Sequence, residues 1–133
     1  MKTLYGLAFA GIACVATGCS GSQADFSLTA LQLFKEYAAD IHVADEKYSG
    51  KWLKVSGDVY MVESNPGILR GPHVEFLNRS VGGVSCVFDH KKDVKDFKQR
   101  SVATIVGKCE GVVRDHGCDI VVLRQCVCVS NGP

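Results

Sequence analysis

Between residues 51 and 62 the sequence reads KWLKVSGDVYMV, a run in which apolar and polar side chains largely alternate. Alternation with a period of two predicts a β-strand with one face toward a core and the other toward solvent. Gly57 stands near the middle of this run, and a glycine inside a strand indicates a bend or a bulge. The predicted core face carries Leu53, Val55, Gly57, Val59 and Met61, and the other face carries Trp52, Lys54, Ser56, Asp58 and Tyr60.

Four further strands are predicted downstream, because short apolar runs alternate there with turn residues. They cover residues 73–78, 84–89, 101–113 and 119–129, and the last two form a hairpin.

A charged stretch over residues 89–98 lies between the third and fourth predicted strands. Its Val94 and Phe97 stand one helical turn apart, which predicts a short helix or turn. Five strands with a helical insertion between the third and the fourth have the element order of an OB-fold barrel. In that fold a long, bent first strand pairs with both halves of the barrel. We therefore predict a mainly β protein built as a five-stranded OB-fold barrel.

An N-terminal α-helix is predicted before the barrel, over residues 28–48, with a bend near His42. Thr29, followed three residues later by Gln32, matches a capping box at the start of this helix. Apolar residues recur at intervals of three or four, and this period predicts one face turned toward the core. The residues of that face are Leu28, Leu31, Phe34, Ala38 and Ile41.

The first 18 residues form a predicted export signal, with one lysine followed by an apolar run over residues 4–16. That run is too short for a stable membrane span. The sequence then reads Ala-Thr-Gly-Cys, ending at Cys19, and this resembles the lipobox of bacterial lipoproteins. In such proteins the chain is cut before the cysteine and the thiol is acylated, so Cys19 is the predicted lipidation site. An ordinary secretory signal cut near Gly18 or Ser20 is the alternative.

The chain after the signal has room for one domain, because removing 18 of the 133 residues leaves 115. Residues 19–27 are small and polar and predict a flexible tether, and residues 28–133 form the OB-fold domain with its helix. Loss of Lys2 leaves 14 of the 15 basic residues against 14 acidic ones. A protein that tracks phosphates usually has a basic excess, and the total shows none. The predicted location is the bacterial cell envelope, at the outer membrane or its periplasmic face.

Five short stretches spread over residues 28–129 resemble one known family. They read ADEKYSGK from residue 44, VSGDV from 55, VSCVF from 84, GKCEG from 107 and LRQC from 123. Together they resemble the tRNA_anti-like family of OB-fold proteins. The resemblance implies a binding domain, with single-stranded nucleic acid as one ligand, and it implies no catalytic activity.

Five cysteines remain beyond Cys19, and closely placed cysteines in an exported chain are candidates for disulfides. If residue numbers across the last hairpin sum to about 235, Cys109 faces Cys126, so this pair is the first predicted bridge. The third and fifth strands of an OB barrel are neighbours. Cys86 is therefore the predicted partner of Cys128, and Cys118 lies outside both bridges.

A metal or thiol-exchange site is the alternative interpretation of the cysteines near His116. An oxidising compartment favours bridges over thiolates, and structural zinc sites usually have wider ligand spacing. The sequence also contains no phosphate-binding glycine loop and no nucleophile motif. We therefore predict no catalytic residue, no metal and no cofactor.

The predicted ligand-binding residues are Trp52, Lys54 and Tyr60 from the first strand with His73 and Arg79 from the second. Tryptophan and tyrosine stack on bases or sugar rings. The predicted function is a lipid-anchored module that binds an extended ligand, either single-stranded nucleic acid or an oligosaccharide. The alternative is a non-catalytic role in envelope protein–protein interaction or structure, which the balanced charge favours.

Overall fold

The computed structural model describes residues 23–65, 67–77, 82–115 and 117–132. Within these ranges the protein is mainly β, with six strands, two α-helices and two short 3-10 turns, Gly67–Leu69 and Lys91–Asp93. The predicted signal peptide, Cys19 and Arg79 lie outside the described residues. The elements in chain order are β1 (Phe26–Thr29), α1 (Ala30–Ala39), α2 (Ile41–Tyr48), β2 (Trp52–Glu63), β3 (His73–Phe76), β4 (Gly83–Val87), β5 (Val102–Asp115) and β6 (Cys118–Asn131).

The six strands form one sheet in the order β1-β2-β3-β4-β6-β5, with a further pairing between β2 and β5. The first half of β2 pairs with β5 and its second half pairs with β3. The hydrogen-bonded order from β2 through β3, β4, β6 and β5 therefore returns to β2. A long strand shared by both halves was predicted at residues 51–62, and β2 has this role. The strand count of five was wrong, because β1 adds a sixth.

β1 was not predicted, and it runs parallel to β2 from Phe26 to Thr29. The β2 residues opposite it, 53–56, also pair with β5, so β1 covers the other edge of β2. An uncovered strand edge is a template for unwanted pairing, which β1 prevents. The structure places Leu28 in this strand rather than in the predicted helix. It also places Phe26 and Ser27, the last two residues of the predicted tether, in β1.

The predicted single helix over residues 28–48 consists of two helices, separated at Asp40. Asp40 has an extended backbone (φ −164°, ψ 107°), its N–H donates to the Glu36 carbonyl, and its carboxylate accepts from the Val43 N–H. One residue thus ends α1 and caps α2. The capping box of Thr29 and Gln32 is confirmed, because each side chain bonds the backbone N–H of the other.

The predicted apolar face of the helix is correct only in part: Leu28 and Phe34 pack against the core, whereas the other three residues of that face are exposed. Leu31 and Ile41 are exposed, at 48% and 39%. The predicted face contains no tyrosine. In the structure two tyrosine rings enter the core while their hydroxyls reach carboxylates. The buried helical residues are Ala30, Leu33, Tyr37, Ala44 and Tyr48.

The predicted register of the last hairpin was also wrong, since Cys109 lies opposite Leu123 and not opposite Cys126. From the pair Asp115 with Cys118 to the pair Gly111 with Val122, the paired residue numbers sum to 233. Glu110 is then an extra residue of β5, which lowers the sum to 232 at Cys109.

A β-bulge follows beyond Cys109. Between the pair Val106 with Val127 and the pair Lys108 with Arg124, β5 has one residue, Gly107. β6 has two there, Gln125 and Cys126. A bulge is set by cross-strand packing, and a constant sum of residue numbers cannot represent it.

Neither predicted disulfide is formed, because Cys86, Cys109, Cys126 and Cys128 are all thiols. Cys86 lies against Cys126 in the core. Burial, followed by this neighbouring thiol, raises the pKa of Cys126. Cys128 is exposed and lies opposite Ile105.

The core lies on the inner faces of the strands and beneath α1 and α2. Phe76 and Phe88 are buried there, and Val94 and Phe97 of the predicted short helical insertion are buried beside them. The rings of Phe88 and Phe97 have centroids 5.6 Å apart. Among the described helices, none has the length and apolar character required to cross a bilayer.

Candidate ligand-binding groove

The predicted ligand face is divided in two, because Trp52 and Tyr60 lie near opposite ends of β2. Trp52 pairs with Lys108 of β5, whereas the neighbourhood of Tyr60 pairs with β3. The two residues are eight positions apart, which is roughly 26 Å along an extended strand. Both rings are partly exposed, at 36% and 41%. Lys54 is half-buried and lies across from Val106 near the Trp52 end.

His73, another predicted ligand residue, is buried and committed to protein contacts. Its Nε2 lies 3.1 Å from a carboxylate oxygen of Glu75, and its Nδ1 lies 3.0 Å from the carbonyl oxygen of Gly71. The side chains of His73 and Glu75 are only 6% and 2% exposed. His73 therefore organises the loop before β3, and both of its ring nitrogens already have protein neighbours.

The cavity in front of His73 is acidic. It has a volume of about 410 Å³, and its lining includes Glu63, Glu75 and Asp115. It lies between the β2–β3 loop and the end of the β5–β6 hairpin, where OB domains commonly hold their ligands. Three carboxylates beside one imidazole make this a poor place for a phosphate backbone. Within residues 23–65, 67–77, 82–115 and 117–132, no three histidine, cysteine or carboxylate side chains converge as a metal site.

Basic side chains converge instead in two adjacent cavities on the outer face of the sheet. The first, of about 440 Å³, is lined by Arg70, Lys91 and Arg124, and the second, of about 480 Å³, by Lys108 and Arg124. Arg124 and Gln125 line both cavities. We call this surface the basic groove and define it by Arg70, Lys91, Lys108, Arg124 and Gln125.

The basic groove holds a local excess of positive charge. Its four lysine and arginine side chains stand against two carboxylates, Asp89 and Glu110, and His90 adds an imidazole. Glu110 is already paired with Arg124, at 2.7 Å from Nε. A chain of nearly balanced total charge thus concentrates cations on one surface.

Arg124 is held in a defined position at the centre of the groove. Its Nε donates to Glu110, and its Nη1 donates to the Leu69 carbonyl at 2.7 Å. These two bonds use two of the five N–H donors of a guanidinium. Because the planar group is already oriented, less conformational entropy is lost when it binds an anion.

A β-bulge at Gln125 lies within the groove. Gln125 has a left-handed backbone (φ +55°), and it is exposed beside the outward-facing Arg124, while Cys126 turns into the core. A Cβ atom on Gly107, opposite the bulge, would lie 2.5 Å from the Cys126 Sγ. Glycine at position 107 is therefore a packing requirement.

Trp52 lines a third cavity, of about 410 Å³, that adjoins the basic groove at Gln125. Lys108 lies opposite Trp52 on one side and opposite Arg124 on the other. The three side chains thus form one row across β2, β5 and β6.

Sequence reasoning missed Arg70, Lys91, Lys108 and Arg124 as a group. They come from a loop, a 3-10 turn and two strands, at spacings that follow no period. The stretch 123–126, LRQC, carries the available signal, because a charged and an amide side chain interrupt an apolar strand there. Charge inside an otherwise apolar strand indicates a surface position, although it does not identify the other members of the group.

Comparison with known proteins gives a family and similar solved structures. The tRNA_anti-like family model matches residues 13–127. The chain resembles a Klebsiella pneumoniae subsp. pneumoniae MGH 78578 protein, provisionally described as a nucleic acid-binding lipoprotein, with 25% identity and a TM-score of 0.60. That match covers 78% of this chain and 92% of the other.

A second solved structure bears less similarity. It is provisionally described as an aspartyl-tRNA synthetase, from Leishmania major Friedlin, and it matches with 8% identity and a TM-score of 0.48. The match covers 91% of this chain and 24% of the other, and it carries no argument about function. The curated proteins include no match.

Proposed function

This chain belongs to the tRNA_anti-like family, and we propose that it binds single-stranded nucleic acid along its basic groove. The observation that carries the proposal is the convergence of Arg70, Lys91, Lys108 and Arg124 in two joined cavities. The description of the Klebsiella pneumoniae protein as nucleic acid-binding supports the same ligand class.

The shape of the groove suits an extended ligand. Two cavities in succession share Arg124, so a strand that follows both would place successive phosphates near different cations. Arg124 would supply an oriented guanidinium, while Lys91 and Lys108 would supply mobile point charges. Trp52 lies in the next cavity, where a base could stack on its exposed ring.

The charge distribution also sets which face is used. The cavity lined by Glu63, Glu75 and Asp115 repels phosphates, so the strand would avoid the β3 side of the protein. The proposed site therefore leaves out His73, which lines that cavity, and Tyr60, which lies near the end of β2 opposite to Trp52. These are two of the five ligand residues that the sequence predicted.

We further propose that the domain is an OB-fold barrel on a lipid anchor. The return of the strand pairings to β2 supports the barrel. The lipobox-like sequence before Cys19 supports acylation, and the Klebsiella pneumoniae protein is described as a lipoprotein. The proposed location is the bacterial envelope, at the outer membrane or its periplasmic face. The proposed role is non-catalytic and needs no cofactor.

The test is a fluorescence anisotropy titration of labelled single-stranded DNA and RNA with the protein, at several salt concentrations. Each cation removed from a bound phosphate should reduce the slope of log affinity against log salt by about 0.7. Lys91→Ala and Lys108→Ala should each weaken binding and reduce this slope. Lys35→Ala is the matched control, because Lys35 is an exposed lysine of α1 outside both cavities.

A flat titration at low salt would contradict nucleic-acid binding. Equal weakening by Lys35→Ala and Lys91→Ala would contradict the location of the site in the basic groove. After a flat titration, oligosaccharides and envelope proteins are the remaining ligand classes. Binding of a neutral glycan would be insensitive to salt, which distinguishes it from binding of phosphates.

A further inference from the structure

An apolar patch lies on the outer face of the sheet beside the basic groove. Trp52 and Val127 are 36% and 50% exposed, and Val106 lies beneath them. We call these three residues the Trp52 patch. Exposed tryptophan and valine side chains in one place favour an apolar or interfacial partner.

The N-terminal end of the described chain is fixed to this patch. The Asp25 N–H donates to the Trp52 carbonyl at 2.7 Å, and the Asp25 carboxylate accepts from the Trp52 N–H at 2.9 Å. Gln23 and Ala24 line the same cavity as Trp52. Whatever precedes residue 23 therefore approaches the domain at the Trp52 patch.

The distance to the proposed lipid anchor is short, and this step rests on the proposed acylation of Cys19. Six residues lead from Cys19 to Asp25, and they span at most about 22 Å when fully extended. A domain of this size has a radius of gyration of about 13 Å, which corresponds to a diameter of roughly 34 Å. The linker is therefore too short for the Trp52 patch to lie on the side of the domain away from the bilayer.

The chemistry of the surroundings suits a membrane surface. Tryptophan favours the interface, because its ring is apolar and its N–H is polar. Lys54 lies opposite Val106, and Lys108 lies opposite Trp52. Lysines at the rim of an apolar patch attract anionic headgroups. The nearby Asp25 carboxylate accepts a hydrogen bond from the backbone N–H of Trp52.

We propose that the Trp52 patch rests on the surface of the bilayer that holds the lipid anchor. The basic groove adjoins this patch at Gln125, so the groove then opens alongside the membrane. The anchor would thus orient the domain as well as retain it. Stacking of a base on Trp52 would compete with this contact.

The test uses the fluorescence of Trp52, the one tryptophan of the chain. The protein is extracted from bacterial membranes and reconstituted into phosphatidylethanolamine–phosphatidylglycerol vesicles, with and without lipids brominated near the headgroup. Mass spectrometry first determines whether Cys19 is acylated. Quenching of Trp52 by the brominated lipids is the expected result.

Two variants make the quenching specific to the patch. Val127→Lys should remain anchored but lose most of the quenching, because a charge enters the apolar surface. Val102→Lys is the matched control. Val102 is a similarly exposed valine, at 57%, but it lies opposite Asp58 and outside the patch. It should leave the quenching unchanged.

Two failures can be told apart. An acylated protein whose Trp52 is quenched by aqueous iodide and not by brominated lipid overturns the docking inference and leaves the lipid anchor intact. An unacylated Cys19 overturns the proposed anchor, and the reach argument fails with it. Equal loss of quenching in Val127→Lys and Val102→Lys would also overturn the inference.

Discussion

Tyr37 donates a 2.8 Å hydrogen bond from its hydroxyl to the Asp45 carboxylate, across the break between α1 and α2. The same hydroxyl lies 3.5 Å from the Cys109 Sγ of β5. Burial, with these two neighbours, raises the pKa of Tyr37, so the phenol stays protonated and able to donate. One side chain thus joins both helices to the sheet.

Removal of this hydroxyl should weaken the junction. We expect Tyr37→Phe to lower the free energy of unfolding by about 1.5 kcal/mol, because the bond to a carboxylate disappears while the ring remains. Urea unfolding measures the change. Tyr60→Phe, at an exposed tyrosine of β2, should alter stability by less than about 0.5 kcal/mol. Equal effects of the two variants would contradict the role given to the Tyr37 hydroxyl.

The left-handed backbone at the bulge residue Gln125 should make stability sensitive to which residue stands there. Gln125 has φ +55°, a region that glycine occupies freely and that β-branched residues avoid. We expect Gln125→Val to destabilise the protein by about 1–3 kcal/mol, and Gln125→Gly to be neutral or slightly stabilising. Thermal unfolding gives both values. Lys108→Val, at an exposed strand position of β5, should be well tolerated. A stable Gln125→Val variant would show that the bulge is not required.

The contact between Gly107 and Cys126 can be tested by a double-mutant cycle. A methyl group at position 107 would lie 2.5 Å from the Cys126 Sγ and 3.1 Å from the Leu123 Cβ. We expect Gly107→Ala to cost about 1–3 kcal/mol through overpacking. Cys126→Ala removes the sulfur, so the double variant should be more stable than the sum of the single effects implies. Additive effects would indicate that the clash lies with Leu123 or the backbone.

The hydrogen bond between Tyr48 and Glu36 should make the stability of the protein depend on pH. The Tyr48 hydroxyl donates to the Glu36 carboxylate at 2.7 Å, and this bond, with help from Lys47, holds the pKa of Glu36 below its ordinary value of 4.5. The unfolded chain therefore binds more protons than the folded one near pH 4. The contribution of Glu36 to stability is present above pH 4.5 and is lost as the pH falls through the lowered pKa.

The measurement is urea unfolding of Glu36→Gln from neutral pH down to the acid range. Its stability should fall less steeply below pH 4.5 than that of the unchanged protein. Tyr48→Phe removes the donor and should flatten the same part of the profile. A profile unaltered by both substitutions would contradict the assignment.

Features that depend on neighbouring residues could be read from the sequence. The alternation over residues 51–62 predicted the faces of β2, and Trp52 and Tyr60 are exposed as expected. The capping box at Thr29 and Gln32 was predicted because its partners lie three residues apart. Such patterns are local, and the chain carries them before it folds.

Features that depend on distant residues could not be read in this way. The register that sets Leu123 opposite Cys109 depends on an irregular pairing at Glu110, and the bulge at Gln125 places Cys126 against Gly107. β1 exists because β2 offers it an edge. The start of α1 directly after β1 determines which face of the helix turns toward the core.

The candidate site shows most clearly the difference between features set by neighbouring residues and features set by distant ones. Composition indicated a chain of balanced charge, and alternation supplied Trp52 and Lys54 at its margin. The basic groove itself joins Arg70, Lys91, Lys108 and Arg124 from separate parts of the chain. Their convergence depends on strand pairing across β2, β4, β5 and β6. Local periodicity carries no information about such pairing, so the groove became visible only in the folded protein.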